Sequence, residues 1–164
     1  MRAFVVMGVA GCGKSTVGAA VARRIGATYI DGDDLHPPAN IAKMSAGQPL
    51  TDADRAPWLH AVGEELRDHP GRTLIGCSAL RRAYRDIIRD AAREPVGFLH
   101  LSGSRALIET RMKARKGHFM PLSLLDSQFA TLEPLQDDEI GLTVDIDRPF
   151  SALVRVLEAA LRSA

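Results

Sequence analysis

The 164-residue sequence predicts an α/β fold, a parallel sheet with helices on both faces, and three observations carry that prediction. Five short apolar segments, 3–7, 28–31, 73–77, 96–101 and 141–145, read as strands. Amphipathic stretches separate them, the alternation that builds a parallel sheet through helical crossovers. The first apolar run, Phe4-Val5-Val6-Met7, leads directly into Gly8-Val9-Ala10-Gly11-Cys12-Gly13-Lys14-Ser15, a phosphate-binding loop in its strand-to-helix setting.

The glycines of that loop let successive backbone N–H groups turn toward one point, at the positive end of the helix that follows. That helix carries Val17, Val21 and Ile25 at four-residue spacing. Lys14 is expected to reach the β- and γ-phosphates of a nucleotide, Ser15 to offer its hydroxyl to Mg²⁺, and Thr16 to face the α-phosphate. After the second strand, Asp31-Gly32-Asp33-Asp34 emerges at the carboxyl edge of the sheet, on the side of the loop. In extended chain Asp31 and Asp33 point the same way, so one can hold Mg²⁺ through water while the other accepts a hydrogen bond from a substrate hydroxyl. Residues 32–50 follow, with Gly32, Pro37, Pro38, Gly47 and Pro49 around a short helical piece, and are expected to be mobile. Thr51 or Asp54 caps the next helix, with Pro57 in its first turn and Trp58, Leu59, Val62 and Leu66 as its core face.

The third strand ends Leu74-Ile75-Gly76-Cys77-Ser78, with no acid at its tip. Many motor and transport ATPases carry a magnesium-binding Asp there, and the Asn-Lys-x-Asp motif of GTPases is missing too. The magnesium duty therefore falls on Ser15 and Asp31, while Gly76 and Ser78 suit close approach of a small substrate. The helix 80–91 packs through Leu80, Tyr84, Ile87, Ile88 and Ala91. Arg55 and the cluster Arg81, Arg82 and Arg85 follow sheet edges expected to face the site, which points to an anionic acceptor. His36, Lys43 and His118 are further polar candidates.

The stretch Arg111-Met112-Lys113-Ala114-Arg115-Lys116 contains four cations and no acid. Helical spacing puts Arg111 and Arg115 on one face, one guanidinium able to stack on a nucleobase and the other to neutralise a migrating phosphoryl group. Residues 115–135 again depart from the regular pattern and are expected to be mobile. Glu133, Asp137, Asp138 and Glu139 read as a solvated acidic loop, and the C-terminal helix packs through Phe150, Leu153, Val154, Leu157 and Leu161.

A net charge of +1 gives no global field for nucleic acid or an anionic membrane, and 5 % aromatics is sparse for a base-stacking platform. Two cysteines, Cys12 and Cys77, have no metal-ligand spacing and read as reduced thiols. No apolar run approaches the ~20 residues that cross a bilayer, and no targeting pattern is seen. The expectation is one soluble cytoplasmic domain over 1–164. The residues alone leave open a small-molecule kinase, a kinase of nucleotides, or a nucleotide-responsive RNA-binding protein.

The chain resembles the gluconate kinase family, small P-loop kinases related to shikimate and adenylate kinases. The resemblance spans nearly the whole length. It runs from Gly8–Thr16 through Asp31-Gly32-Asp33, Leu35-His36-Pro37, Asn40-Ile41, Lys43-Met44, Asp54-Arg55 and Pro57-Trp58-Leu59. It continues through Cys77-Ser78-Ala79-Leu80, Tyr84-Arg85-Asp86, Lys113 to Phe119, Gln128-Phe129 and Asp145-Ile146-Asp147. Leu-His-Pro and Arg-Lys-Gly-His-Phe are its specific segments. The resemblance implies ATP-dependent phosphorylation of D-gluconate on its terminal hydroxyl, with Mg²⁺. It implies a three-layer P-loop NTPase fold of five parallel strands in the order 2-3-1-4-5, and a family whose members are often homodimeric. The substrate region corresponds to about 32–60 and a lid to about 115–135. By similarity, Arg111 lies against adenine, Arg115 reaches phosphates, Asp147 and Pro149 border the base, and Asp33 orients or deprotonates the hydroxyl. Lys14, Asp33 and Arg115 are then the catalytic set. His36, Lys43, Arg55, Ser78 and Arg82 are the gluconate contacts, with Arg55 the first choice for its carboxylate. Shikimate kinases have three consecutive glycines where this chain has Gly76-Cys77-Ser78. Cys12 stands where serine is frequent; backbone N–H groups do the binding there, so function should survive, and although a thiol beside phosphate opens a route to oxidant sensitivity, the phosphates would raise its pKa and argue against strong reactivity.

Overall fold

A computed structural model describes residues 1–115 and 121–164. Five strands, β1 (Ala3–Met7), β2 (Thr28–Asp31), β3 (Thr73–Gly76), β4 (Val96–Ser102) and β5 (Gly141–Asp145), form one parallel sheet in the order β2-β3-β1-β4-β5. The central strand β1 aligns Val5 with Ile75 on one side and with Phe98 on the other. Seven helices accompany the sheet among the described residues: α1 (Lys14–Ile25), α2 (Pro38–Ser45), α3 (Asp52–Asp68), α4 (Arg82–Ala92), α5 (Arg105–Ala114), α6 (Leu122–Thr131) and α7 (Phe150–Arg162). A 3₁₀ turn over Gly32–Leu35 follows β2.

Side chains alternate across β1, and the alternation divides the core. Phe4 and Val6 face a cluster built with Val17 and Val21 of α1 and Leu153, Val154, Leu157 and Leu161 of α7. Ala3, Val5 and Met7 face Trp58, Leu59, Val62 and Leu66 of α3 and Ile88 and Ala92 of α4. Helices α3 and α4 pack closely because Gly63 has no side chain: a Cβ there would lie 2.5 Å from the Ile88 carbonyl oxygen and 2.6 Å from the Ala91 Cβ.

All five strands fall where the apolar runs predict them. Three local readings are corrected. Thr51 and Asp54 are not alternative caps: the Thr51 hydroxyl accepts the Asp54 N–H at 3.1 Å and the Asp54 carboxylate accepts the Thr51 N–H at 2.9 Å, a reciprocal capping box. Because α3 starts at Asp52, Pro57 lies beyond the first turn and removes the N–H that would bond to the Ala53 carbonyl. Helix α4 begins at Arg82 rather than at Leu80, because Ala79 sits in the left-handed region (φ 45°) and the Leu80 carbonyl is taken by the N–H of Glu133 at 2.7 Å.

Arg85, expected to face the site, and Glu139, expected in a solvated acidic loop, also depart from those readings. Both side chains have no exposed area and form a two-pronged ion pair at 2.7 and 2.8 Å. Arg85 further donates to the carbonyls of Ala79 at 2.9 Å and Pro134 at 3.3 Å. Glu139 also receives Arg89 and the N–H of Gln136. Glu133, Asp137 and Asp138 are exposed as expected, but Glu139 is a core ion. Burial opposes its ionisation, yet Arg85, the Gln136 N–H and Arg89 outweigh burial and hold its carboxyl at about 2.

A folded-state pKa below the ordinary glutamate value of 4.5 gives stability that is present above that value and lost as pH falls toward 2. Acid unfolding should therefore steepen across that interval. Glu139→Gln should remove this part of the pH dependence and cost about 3–5 kcal/mol at neutral pH, since Arg85 then stays buried without its counter-charge. Replacing both, Arg85→Met with Glu139→Leu, should cost less than the single change in a denaturant titration; an equal or greater loss would contradict the pairing argument.

Candidate active site

The phosphate loop joins β1 to α1 at the carboxyl edge of the sheet. Gly8, Gly11 and Gly13 take φ of 147°, 81° and 99°, a backbone that L side chains rarely adopt. No side chain caps α1, so the N–H groups of its first turn are open to an anion at the positive end of the helix. Lys14 Nζ folds back onto the carbonyls of Gly8 at 2.9 Å and Val9 at 3.1 Å. The Gly8 N–H donates to the Ser78 carbonyl at 3.2 Å, joining the loop to the end of β3. Ser15 and Thr16 are exposed at the helix start.

Cys12 has no exposed area and packs in the core, where a Cβ on Gly8 would lie 2.6 Å from its Sγ. Burial raises its thiol pKa against the nearby charge of Lys14. The thiol is therefore kept unreactive by burial as well as by any neighbouring phosphate. Cys77 is likewise buried, its pKa pushed up to about 12 by burial.

Beside the loop lies a cavity of about 270 Å³ lined by Gly11, Cys12, Gly13, Thr16 and Val17, by Arg111 and Arg115, and by Arg148, Phe150 and Leu153. Arg111 is fixed there by donation to the Ile146 carbonyl at 2.8 Å, and Arg115 is the exposed residue that ends α5. The wall expected from Asp147 and Pro149 is formed instead by their neighbours Arg148 and Phe150. Pro149 caps α7, and the Asp147 N–H closes a turn onto Asp145 Oδ1 at 2.8 Å. The cavity adjoins the loop and combines three guanidinium-bearing side chains with the apolar surface of Val17, Phe150 and Leu153.

On the other side of Lys14, the backbone N–H of Asp33 donates to Asp31 Oδ1 at 3.0 Å, which fixes the two carboxylates in one turn. Asp33 is exposed, but its carboxyl is partly desolvated by the neighbouring chain. That loss of water first, and the charge of Asp31 second, raise its carboxyl above the ordinary aspartate value. No group of three or more His, Cys, Asp or Glu side chains that could hold a metal occurs among the described residues. This donor set fits Mg²⁺, a hard ion that uses one or two protein oxygens beside phosphate and water. Ser15 and Asp31 would hold it, and when bound it supplies charge neutralisation to the phosphates.

The acceptor wall is more constructed than its sequence suggests. Trp58 is core, as expected, but its indole N–H donates to the Gly32 carbonyl at 2.8 Å and its ring stacks on His36 at 4.1 Å. His36 Nδ1 lies 3.2 Å from the Asn40 amide nitrogen, which also donates to the Asp54 carbonyl at 2.9 Å. Nδ1 is then the acceptor, and the ring proton sits on Nε2. Burial, against the charge of Asp33, lowers the His36 pKa and keeps the ring neutral. Lys43 pairs with Asp54 at 2.7 Å, and Arg55 pairs with Asp52 at 3.2 Å over the ring of Tyr84, whose hydroxyl donates to Asp52 at 2.6 Å.

Arg82 does not join this wall. Its guanidinium turns along its own helix to Asp86 at 2.9 Å and out to Asp138 at 2.8 Å, so the ion pairs draw it from the expected gluconate contact. Half-buried Ser78 lies between loop and wall through its carbonyl bond to Gly8. His118 and Lys116 lie outside the described residues. Gln128, Asn40, Arg148 and Phe150 are the site residues that sequence reasoning missed. Of these, Gln128 and Asn40 lie within family segments that carry no role for them.

A phosphate loop on a 2-3-1-4-5 parallel sheet, a cavity lined by arginines beside it and a carboxylate pair opposite define a nucleotide-dependent phosphotransferase of the P-loop kinase class. A family model described as an AAA domain matches residues 4–135. The gluconokinase of Gluconobacter oxydans (strain 621H) is 50 % identical over 141 residues, 84 % of this chain and 79 % of that protein. The thermoresistant gluconokinase of Escherichia coli (strain K12) is 45 % identical over 155 residues, 92 % and 88 % of the two chains. A crystal structure of a gluconokinase from Sinorhizobium meliloti 1021 superposes with a TM-score of 0.89 at 47 % identity, covering 99 % of this chain and 92 % of that one. The chain belongs to the gluconokinase family.

If Asp33 acts as its carboxylate, kcat/KM should fall on acidification with a pKa above that of an ordinary aspartate. Asp31→Asn removes the like charge and should move that acid limb to lower pH. A pH–rate profile checks this; a limb that stays in place would detach Asp33 from the titration.

Proposed function

We propose that this chain transfers the γ-phosphoryl group of ATP to the terminal hydroxyl of D-gluconate, giving 6-phospho-D-gluconate. The observation that carries the reading is the juxtaposition, at one sheet edge, of Lys14 on the phosphate loop with the Asp31–Asp33 turn, near enough for its charge to act on Asp33. Kinship with gluconokinases supports the choice of acceptor. In this reading Asp33 accepts the hydroxyl proton as the new O–P bond forms and the bond from the γ-phosphorus to the bridging oxygen breaks. Lys14 and Arg115 stabilise the charge that develops on the phosphoryl oxygens and on departing ADP. Arg111 holds the base. Neutral His36 donates through Nε2 to an acceptor oxygen.

The acceptor's own carboxylate is assigned to the cationic edge formed by Arg55, Lys43 and Arg81. Arg81 enters because its charge acts on Asp52 and Tyr84, which places it with Arg55. Arg55 and Lys43 already serve Asp52 and Asp54, so an incoming carboxylate exchanges with those acids rather than meeting bare cations. Mg²⁺ on Ser15 and, through water, on Asp31 belongs to the same reading, as do a lid over 115–135, a cytoplasmic setting and a homodimer. No helix among the described residues is long and apolar enough to cross a membrane. The second half of the lid stretch is α6, seated in the core by Leu125.

An ADP-release assay across gluconate, other sugar acids, shikimate and nucleoside monophosphates tests the reading. Turnover should depend on gluconate, and its absence with gluconate alone would overturn the assignment. Asp33→Asn should lower transfer by about 10²-fold or more, the usual worth of a positioned base, with ATP affinity kept within about twofold. If affinity for ATP collapsed and transfer did not, Asp33 would belong to the metal site.

A further inference from the structure

The backbone N–H of Ala10, at the tip of the phosphate loop, donates to the side-chain carbonyl of Gln128 at 2.6 Å. Gln128 belongs to α6, far away in sequence and on the stretch otherwise read as a lid. It is held there by packing: Leu125, one turn earlier on the same helix, is 1 % exposed, and Phe129 and Leu132 lie against the same core cluster. The carbonyl of that same peptide unit, Val9 C=O, accepts Lys14 Nζ at 3.1 Å. One peptide plane, Val9–Ala10, thus stands between an ammonium on its oxygen and a carboxamide on its hydrogen.

We infer that Gln128 is a positioning residue for Lys14, acting through the Val9–Ala10 peptide. A peptide that accepts from a cation becomes a stronger donor, and one whose N–H is held becomes a stronger acceptor, so the two contacts reinforce each other. Inside the loop the plane is held only on its oxygen, where the Val9 carbonyl also accepts the Cys12 N–H at 3.3 Å; no loop atom holds its N–H. Gly8 precedes the plane and Gly11 follows it, both with positive φ and neither with a side chain that could hold the plane from within the loop. Gln128 supplies the restraint on the N–H side, from outside the loop. With it, Lys14 Nζ is aimed from a fixed carbonyl pair toward the β- and γ-phosphates; without it, the plane tilts and Lys14 loses its reference.

The inference rests on the donor half of the proposed reaction and not on the identity of the acceptor. Binding of β,γ-imido ATP with Mg²⁺, which needs no sugar acid, is therefore the assay. Gln128→Met keeps the length and helix preference of the side chain but removes the carbonyl. It should weaken β,γ-imido ATP binding about tenfold, the worth of one hydrogen bond to a charged network, with the melting temperature unchanged. In a Lys14→Ala background the same change should add nothing, because the two residues act as one unit. In turnover, kcat should fall while KM for the sugar acid stays constant. Wild-type affinity in Gln128→Met would overturn the inference. So would a further loss of the same size in the Lys14→Ala background, which would make Gln128 an independent ligand. A lowered melting temperature with affinity retained by the folded molecules would assign Gln128 to helix packing and overturn it as well.

Discussion

Open backbone N–H groups at the start of α1 are the constraint on which the rest of the structure depends. A helix with no side-chain cap, preceded by three glycines in positive φ, is a poor design for stability alone, since each feature leaves donors unsatisfied or the chain entropically free. It becomes sound when an anion supplies the acceptors. The surrounding fold then has one task, which is to hold that weak segment still. β1 does so from the centre of the sheet, paired on both sides and buried throughout. Ser78 holds the first glycine, Gln128 holds Ala10, and the Sγ of Cys12 fills the space beneath. Cys12 is therefore a packing residue whose backbone serves the loop.

The acceptor side is organised by a different force. The β3–α4 connection passes through a left-handed alanine, a conformation that costs a non-glycine residue about 1 kcal/mol. The buried Arg85–Glu139 pair holds that turn by its carbonyl and fastens it to the chain returning from α6 through Pro134. A buried ion pair is weak support for net stability, but its geometry is demanding. Here that geometry sets where Ser78 meets the phosphate loop.

The strands and the loop are legible in the sequence because their signals are local: a run of apolar residues, or a glycine pattern between strand and helix. The carboxylate turn is legible for the same reason, since Asp31 and Asp33 are two residues apart. What sequence reading misses depends on partners far apart in the chain. Arg85 and Glu139 are 54 residues apart, and nothing local to either points to the other. Ala10 and Gln128 are 118 apart. Arg82 looks like a substrate contact because it sits at the start of a helix facing the site, but Asp86 on the same helix and Asp138 compete for its guanidinium. Trp58 is core, as its apolar neighbours at helical spacing imply, yet it also stacks on His36 and so backs the surface proposed to meet the acceptor.

The central claim is that both substrates meet at one sheet edge and that the phosphoryl group passes directly between them. Both cysteines are buried, and Asp33 is assigned to the acceptor hydroxyl rather than to phosphorus. Stereochemistry at phosphorus tests this most directly. With ATP made chiral at the γ-phosphorus by oxygen isotopes and gluconate as acceptor, a single in-line displacement predicts inversion in the product. Retention would require an even number of displacements through a phosphorylated protein side chain, and it would contradict the account.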